Sequence, residues 1–378
     1  MKYVDEFRDP QKANFLLAEI DKLVPKIRSK LGRPIYIMEV CGGHTHAIFK
    51  YGIETMLPDG IELVHGPGCP VCVLPMGRVD DCVALAEMPG VIFTTFGDAM
   101  RVPGSQKSLL QAKAEGADVR MVYSPLDALE LARENPDRQV IFFGLGFETT
   151  MPSTALTILQ ADEEGIGNFS LFCNHITIIP TIKAILDSPE LQLDGFLGPG
   201  HVSMVIGTAP YDFIAQRYQR PVVVAGFEPL DVLHSLWMVL KQIAEERVEI
   251  ENQYNRIVPD AGNEEALDAV GKVFELREFF EWRGLGSIDH SGVRIREPYA
   301  KYDAEKRFSV PAIRIADPKS CQCGEVLKGV IKPRDCKVFG KACTPEAPLG
   351  ALMVSSEGAC AAHYQFGDVE KIDRSGAA

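Results

Sequence analysis

Short apolar segments alternate with amphipathic stretches along most of the chain, which is the pattern of strands followed by helices. The apolar segments are rich in β-branched and aromatic residues, as expected for strands that are buried on both faces of a sheet. The predicted strands span 35–40, 61–65, 91–96, 118–123, 139–144, 168–174, 194–198 and 220–226. A long helix is predicted over 229–246, and the regular alternation predicts an α/β fold with parallel sheets.

The second half of the chain repeats the pattern of the first. Residues 66–69 read Gly-Pro-Gly-Cys and align with 198–201, which read Gly-Pro-Gly-His; the same offset places Cys41 on Cys173. Matches at one offset favour a duplicated scaffold over chance. The strand signal fades near residue 260, which indicates a third region of different structure.

Every unusual motif follows directly after a predicted strand. These motifs are CGGHTH, GPGCPVC, FGDAMRVPG, GLGFETTMP and GPGHVS. In open α/β sheets the crevice beyond the carboxyl ends of the strands is where ligands bind. The motifs are therefore expected near one cleft, with Asp98, Glu148 and His201 as candidate cleft residues. The alternative is that these three side chains are solvated or structural loop residues.

Composition and charge exclude some classes of function. With 378 residues the chain is longer than one hydrophobic core usually serves. Its formal net charge of −13 argues against a protein that binds nucleic acid or anionic membranes. We find neither a signal-peptide pattern nor an apolar run of membrane-spanning length, so a cytoplasmic protein is expected. The ten cysteines are then more often ligands or reactive groups than structural bridges.

Cys41 stands at a predicted strand-to-helix junction. The two glycines after it let the backbone turn tightly, and a helix N-terminus favours the thiolate form of a cysteine. His44 and His46 are near enough in sequence to act as a base, a hydrogen-bond partner or a ligand. This setting favours a functional Cys41 over a buried thiol beside two structural histidines.

Cys69 and Cys72 have the spacing that brings two thiols within bonding reach at the start of a helix. A metal site of this type normally needs a second pair close by, and the nearest other cysteine, Cys82, lies in a helical pattern where it is expected in the core. A redox dithiol is therefore favoured over a metal site, and a metal site over a structural pair.

The last part of the chain holds five cysteines. Four of them are spaced C-x12-C-x6-C-x16-C, at Cys323, Cys336, Cys343 and Cys360. That spacing matches neither a zinc finger nor a ferredoxin. Four thiolates suit zinc or an Fe–S cluster, so the spacing leaves both open, together with unliganded thiols.

Several long motifs together resemble those of the hydrogenase maturation factor HypD family. They are CGGHTHAIFKYG, HGPGCPVCVLPMGR, FGDAMRVPG, FGLGFETTMP, PGHVSMVIG and SSEGACAAHYQ. The resemblance runs nearly from end to end. It implies two duplicated Rossmann-like parallel-sheet domains plus a C-terminal Fe–S cluster domain. The domains expected on this basis are 1–145, 146–260 and 261–378.

The resemblance also implies a function. Members of the family work with the small chaperone HypC to build the Fe(CN)2CO unit of [NiFe]-hydrogenase, whose large subunit finally receives it. Cyanide comes from HypE, which HypF supplies. A [4Fe-4S] cluster is implied at Cys323, Cys336, Cys343 and Cys360. Cys321 resembles an extra residue beside that set and is left out of it.

We expect different roles for the remaining thiols. Cys41 would bind the iron of the Fe(CN)2CO unit together with the N-terminal cysteine of HypC, and His44 would orient or deprotonate it or hydrogen-bond a diatomic ligand. Cys69 and Cys72 would cycle between dithiol and disulfide, exchanging electrons with the cluster. The chain would then be a metallocofactor assembly factor with redox activity, and whether it is an enzyme stays open. The competing hypothesis is a docking scaffold without redox chemistry.

Overall fold

The computed structural model describes residues 5–188 and 192–367. The last residues of the predicted C-terminal domain, 368–378, lie outside this range. The strands are β1 (Ile35–Glu39), β2 (Ile61–His65), β3 (Val91–Thr95), β4 (Val119–Met121), β5 (Gln139–Gly146), β6 (Phe169–His175), β7 (Gly195–Pro199), β8 (Val222–Ala225), β9 (Ile250–Asn252), β10 (Phe274–Leu276), β11 (Phe279–Trp282), β12 (Gly286–Asp289) and β13 (Val293–Ile295).

Helices connect these strands throughout the part of the chain that is described. They are α1 (Pro10–Leu31), α2 (Gly42–Lys50), α3 (Ile53–Met56), α4 (Met76–Ala86), α5 (Leu109–Ala114), α6 (Pro125–Glu134), α7 (Met151–Glu163), α8 (Ile178–Leu186), α9 (Gly200–Ile206), α10 (Asp212–Tyr218), α11 (Pro229–Glu245), α12 (Glu264–Val273), α13 (Ala304–Arg307), α14 (Cys323–Leu327) and α15 (Ala359–Phe366). Among the described helices, none combines the length and the apolar character that crossing a bilayer requires.

Two parallel sheets organise most of the chain. The first has the strand order β2-β1-β7-β8-β9 and the second the order β4-β3-β5-β6, and neighbouring strands in both run parallel. Each of the eight predicted strands occurs, within a few residues of its predicted limits. The α/β fold with two Rossmann-like parallel sheets is thus confirmed.

The division of strands between the sheets differs from the prediction. We expected one sheet from 1–145 and the other from 146–260, but β1 and β2 share a sheet with β7, β8 and β9, and the chain crosses to the second sheet for β3 to β6. The offset that suggested duplication compares local strand-and-turn patterns, and such patterns do not specify which sheet a strand joins. The first Gly-Pro-Gly motif follows β2, and the second begins in the last two residues of β7; β2 and β7 flank β1 in the same sheet.

The first sheet is covered by two long helices that begin where the sequence indicates. Asp9 caps α1 by accepting the N–H of Gln11 at 2.8 Å, and α11 starts with a proline in its first turn. Buried residues such as Ile20 and Leu236 pack from these helices against Ile37 of β1. Burying each of these side chains contributes about 1.5–3 kcal/mol.

The C-terminal third folds back onto the strand ends of both sheets. Short antiparallel pairs, β10 with β13 and β11 with β12, replace the parallel pattern there. Trp282 and Leu352 from this region belong to the same hydrophobic cluster as Cys69 and Cys72. The motif loops are therefore enclosed between the sheets and the C-terminal third.

Candidate functional site

Cys41 lies where β1 ends and α2 begins, directly against the Gly-Pro-Gly loop that follows β2. It is the N-terminal cap residue of α2, and the carbonyl of Gly68 accepts the N–H of Gly42 at 2.9 Å. A Cβ atom at Gly68 would lie 2.3 Å from the backbone nitrogen of Cys41, so only glycine allows this approach. The two motifs that the sequence separates by many residues meet here.

The carboxylate of Glu39 anchors this turn through hydrogen bonds. It is fully buried at the end of β1, and its Oε2 accepts the N–H of Cys41 at 3.0 Å. Its Oε1 accepts the hydroxyl of Thr45 and Nδ1 of His65, the latter at 2.8 Å. Our sequence analysis missed both Glu39 and His65. The available signal was a carboxylate and a histidine, each ending an otherwise apolar strand.

His201, rather than His44, is the histidine next to the Cys41 sulfur. Nδ1 of His201 lies 4.0 Å from Sγ of Cys41, whereas Nε2 of His44 is bound to the carbonyl of Ala225 at 3.0 Å. The ring of Phe227 lies between the two imidazoles, with centroid distances of 3.8 Å to His201 and 4.7 Å to His44. Proximity in sequence favoured His44, but the helical turn of α2 directs its ring toward β8.

His46 faces the C-terminal third. Its Nδ1 lies 3.3 Å from the carbonyl oxygen of Ser356, and its ring packs edge-on against Phe366. Of the two histidines that follow Cys41 in its motif, His46 thus contacts the segment that leads into α15.

Burial controls the protonation of Cys41. Loss of solvation raises its pKa far above the ordinary value, and the negative charges of Glu357 and Glu39 raise it further. The expectation that the N-terminus of α2 would favour the thiolate is therefore wrong, because desolvation outweighs the helix effect. A cation at the sulfur, such as a metal ion, would reverse this balance.

Cys69 and Cys72 form a buried thiol pair. Both are free cysteines, with 4% and 1% of their surface exposed, and their sulfur atoms lie 2.6 Å apart. Burial raises the pKa of Cys72 well above its usual value, and the neighbouring Cys69 adds to this. A Cβ atom at Gly358 would lie 2.9 Å from Sγ of Cys72, so the backbone before α15 covers the pair closely.

Glu357 is a second carboxylate that the sequence analysis did not single out. Glu357 packs against α2, since a Cβ atom placed on Gly42 would lie 2.6 Å from the Cβ atom of Glu357. Burial raises its pKa, as do the charges of Asp98 and Glu39. Asp98 is half exposed and pairs with Arg101 at 3.2 Å. Of the predicted cleft residues, Asp98 thus faces this acidic side of the site.

Glu148 is buried near the same interior region. Its Oε1 accepts the N–H of Ile178 at 3.0 Å, while Oε2 has no partner among the described residues. Burial raises its pKa to about 7. Glu148 and Cys41 are both close enough to Tyr211 for their charges to raise the pKa of that phenol. Glu148 is therefore an interior acid rather than a solvated loop residue.

The C-terminal cysteines come together in one pocket. Its wall includes apolar side chains such as Phe339 and Met353 and the thiols of Cys321, Cys323, Cys336, Cys343 and Cys360. Within the described ranges, no three His, Cys, Asp or Glu side chains are grouped closely enough to hold a single metal ion. Thiols are the donors that Fe–S clusters use, so the residue types that line this pocket are compatible with such a group. Cys321, which we had left out, lines the pocket with the others.

Arg283 links this pocket to the thiol pair. Its backbone N–H donates to the carbonyl of Val73 at 2.8 Å, and its buried guanidinium lies 2.6 Å from a carboxylate oxygen of Asp317. Hydrogen bonding with Cys323 lowers the pKa of Cys321 to about 7 against the opposing effect of burial, and the positive charge of Arg283 adds to this lowering. On the other side, Cys323 is close enough for its charge to raise the pKa of Cys72. The dithiol and the cysteine pocket are therefore electrostatic neighbours.

The comparisons with known proteins agree with the motifs. A family model described as the HypD hydrogenase formation hypA family matches residues 14–367. A hydrogenase maturation factor HypD of Rhodobacter capsulatus is 62% identical over 371 residues, covering 97% of this chain and 98% of the relative. One from Escherichia coli (strain K12) is 56% identical over 366 residues, with 97% and 98% coverage. Nearly the whole chain thus matches these relatives, and it belongs to the HypD family of hydrogenase formation proteins.

Proposed function

We propose that this chain is a maturation factor for [NiFe]-hydrogenase that assembles the Fe(CN)2CO unit together with HypC. Relatives at 62% and 56% identity carry the name hydrogenase maturation factor HypD, which supports the general role. The observation that carries the finer proposal is the convergence at Cys41. A buried thiol, a histidine at 4.0 Å and a thiol pair lie around one turn, and Cys323 of the cysteine pocket lies close enough to Cys72 to act on its pKa.

Cys41 is the proposed ligand for the iron of this unit, which is the cargo of the reaction. Thiolate is the soft, electron-rich ligand that suits iron carrying cyanide and carbon monoxide. Burial raises the pKa of Cys41 and so favours its thiol form; iron binding would release the thiol proton, and Nδ1 of His201, 4.0 Å from the sulfur, is a base that could take it up. Glu39 fixes the direction of the sulfur through the backbone N–H of Cys41.

Cys69 and Cys72 are the proposed electron donors or acceptors. Conversion of the dithiol to a disulfide releases two electrons and two protons, and the reverse step takes them up. Cys323, Cys336, Cys343 and Cys360 would hold a [4Fe-4S] cluster, which would supply one-electron transfer when bound. Its proximity to Cys72 supports exchange between the two groups.

Partners follow from the same proposal. HypC would present a second thiolate to the iron beside Cys41. HypE, charged by HypF, would deliver cyanide, and the hydrogenase large subunit would receive the finished unit. A cytoplasmic location would suit this pathway and the ten cysteines of the chain.

Infrared absorption of the anaerobically purified complex with HypC tests the proposal. Bands in the cyanide and carbonyl stretching region should be present in the unmodified protein and absent from Cys41→Ala. Cys82→Ala is the matched control, because Cys82 is also buried but packs in a separate core cluster under the second sheet. Bands of equal intensity in Cys41→Ala and Cys82→Ala would place the iron elsewhere.

The burial of the thiol pair supports a second candidate, a docking scaffold without redox chemistry. With only 4% and 1% of their surfaces exposed, Cys69 and Cys72 also suit a structural role. Cys69→Ser separates the two hypotheses. A scaffold would still mature hydrogenase with this variant, whereas a redox factor would lose maturation while keeping its fold and its binding to HypC.

A further inference from the structure

The cysteine pocket contains one thiol more than a cubane cluster needs. A [4Fe-4S] cluster is held by four cysteines, yet five of them line this pocket. Three come from separate turns of the chain, at Cys336, Cys343 and Cys360. The other two, Cys321 and Cys323, are separated by a single residue and enter from the same segment, at the start of α14.

The side chains of Cys321 and Cys323 line the same side of the pocket. Their sulfur atoms lie 3.1 Å apart. A Cβ atom at Gly350 would lie 2.4 Å from Sγ of Cys321 and 2.5 Å from Sγ of Cys323, so both sulfurs rest against one backbone position. Two sulfurs this close cannot occupy two separate corners of a cluster whose ligands point away from one another.

The surroundings favour keeping both thiols in place. Arg283 is buried, and its positive charge acts on Cys321. Its Nε lies 2.6 Å from Oδ1 of Asp317, and Nη1 donates to the carbonyl of Pro103 at 3.3 Å. The backbone next to Arg283 packs onto the segment that carries both thiols, since a Cβ atom at Gly284 would lie 2.9 Å from Cα of Gly324 and 3.6 Å from the carbonyl carbon of Cys323.

We propose that Cys321 and Cys323 share one coordination position, so that either sulfur can hold the same iron of the cluster. The inference rests on the proposed cluster site and adds an exchangeable ligand to it. In the exchange, one sulfur–iron bond forms as the other breaks, and the proton of the incoming thiol passes to the outgoing sulfur. No electron is transferred in this step.

Serine variants of the full chain, purified without air, test the shared position. Cys321→Ser and Cys323→Ser should each keep at least about half of the iron and sulfide of the unmodified protein, whereas the double variant should lose about tenfold, as non-additive partners do. Cys336→Ser is the matched control and should lose as much as the double variant. A cluster lost from Cys323→Ser alone to the level of Cys336→Ser overturns the proposal.

Labelling of the unmodified protein provides a measurement that does not depend on variants folding. Iodoacetamide added to the iron-loaded protein should modify Cys321 in some molecules and Cys323 in others, and fragmentation of the peptide between Lys319 and Lys328 distinguishes the two. Modification of Cys321 alone overturns the shared position while leaving the cluster intact. Protein that holds no iron and sulfide before labelling instead overturns the proposed cluster site.

Discussion

Removing Glu39 should loosen the turn that carries Cys41. Its buried carboxylate accepts the N–H of Cys41, the hydroxyl of Thr45 and Nδ1 of His65. Glu39→Ala leaves the Cys41 N–H without a partner, which costs about 1–3 kcal/mol. With the cavity left behind, we expect the free energy of unfolding to fall by about 3–5 kcal/mol.

Glu39→Gln should cost much less, about 1 kcal/mol, because only the charge of the acceptor is lost. The glutamine oxygen can accept the Cys41 N–H, and its amide can donate to the hydroxyl oxygen of Thr45 and to Nδ1 of His65, since both can accept. Urea unfolding followed by circular dichroism gives the free energies. Glu62→Ala is the control, since Glu62 is partly exposed and pairs with Lys332, a contact worth about 0–1 kcal/mol. If Glu39→Ala costs no more than Glu62→Ala, the buried network does not hold the turn.

Three further predictions address other parts of the site. Burial raises the pKa of Glu148 from 4.5 to about 7, so the unfolded chain releases this proton at a lower pH than the folded chain does. The free energy of unfolding should therefore fall as the pH rises between those values, by up to about 3 kcal/mol. Glu148→Gln should remove this difference between urea unfolding at pH 5 and at pH 8. Gly68→Ala should lower the melting temperature and abolish the infrared bands, whereas Gly167→Ala, with open space around it, should change neither. Cys336→Ser should yield colourless protein with less iron and faster proteolysis of its C-terminal third, because a bound metal cluster contributes folding energy there; brown protein with full iron content would contradict this.

Local pattern accounts for what the sequence predicted correctly. The strands were located because a buried strand needs a short apolar run, and the motifs followed the strands because the turn after a strand needs glycine and small residues. α11 was predicted at 229–246 and is observed at Pro229–Glu245, because an amphipathic pattern that starts with a proline in the first turn is also a local signal. None of these features depends on which distant segment lies alongside.

Long-range contacts account for what was missed or wrong. Which strands share a sheet depends on pairing between segments far apart, so β1 and β2 were separated from β7 in the prediction. His201 lies far from Cys41 in sequence yet contacts its sulfur. Arg283 reads as an ordinary loop residue until the fold brings it between the dithiol loop and the cysteine pocket.

Cys69 and Cys72 are packed so tightly that a chemical change at their sulfurs should alter the structure around both Cys41 and the cysteine pocket. Gly358 leaves no room beside Sγ of Cys72, and it stands two residues before Cys360 of the cysteine pocket. The residue before Gly358, Glu357, packs onto Gly42 at the start of α2, the helix that Cys41 caps. Close-packed interiors transmit such displacements, because no free volume absorbs them. Oxidation of Cys69 and Cys72 to a disulfide by added oxidised glutathione, which takes up the two electrons and two protons, should therefore speed amide hydrogen exchange in α2 and α15, compared with the reduced protein. Equal exchange in both helices in the two states would mean that the thiol sites respond independently.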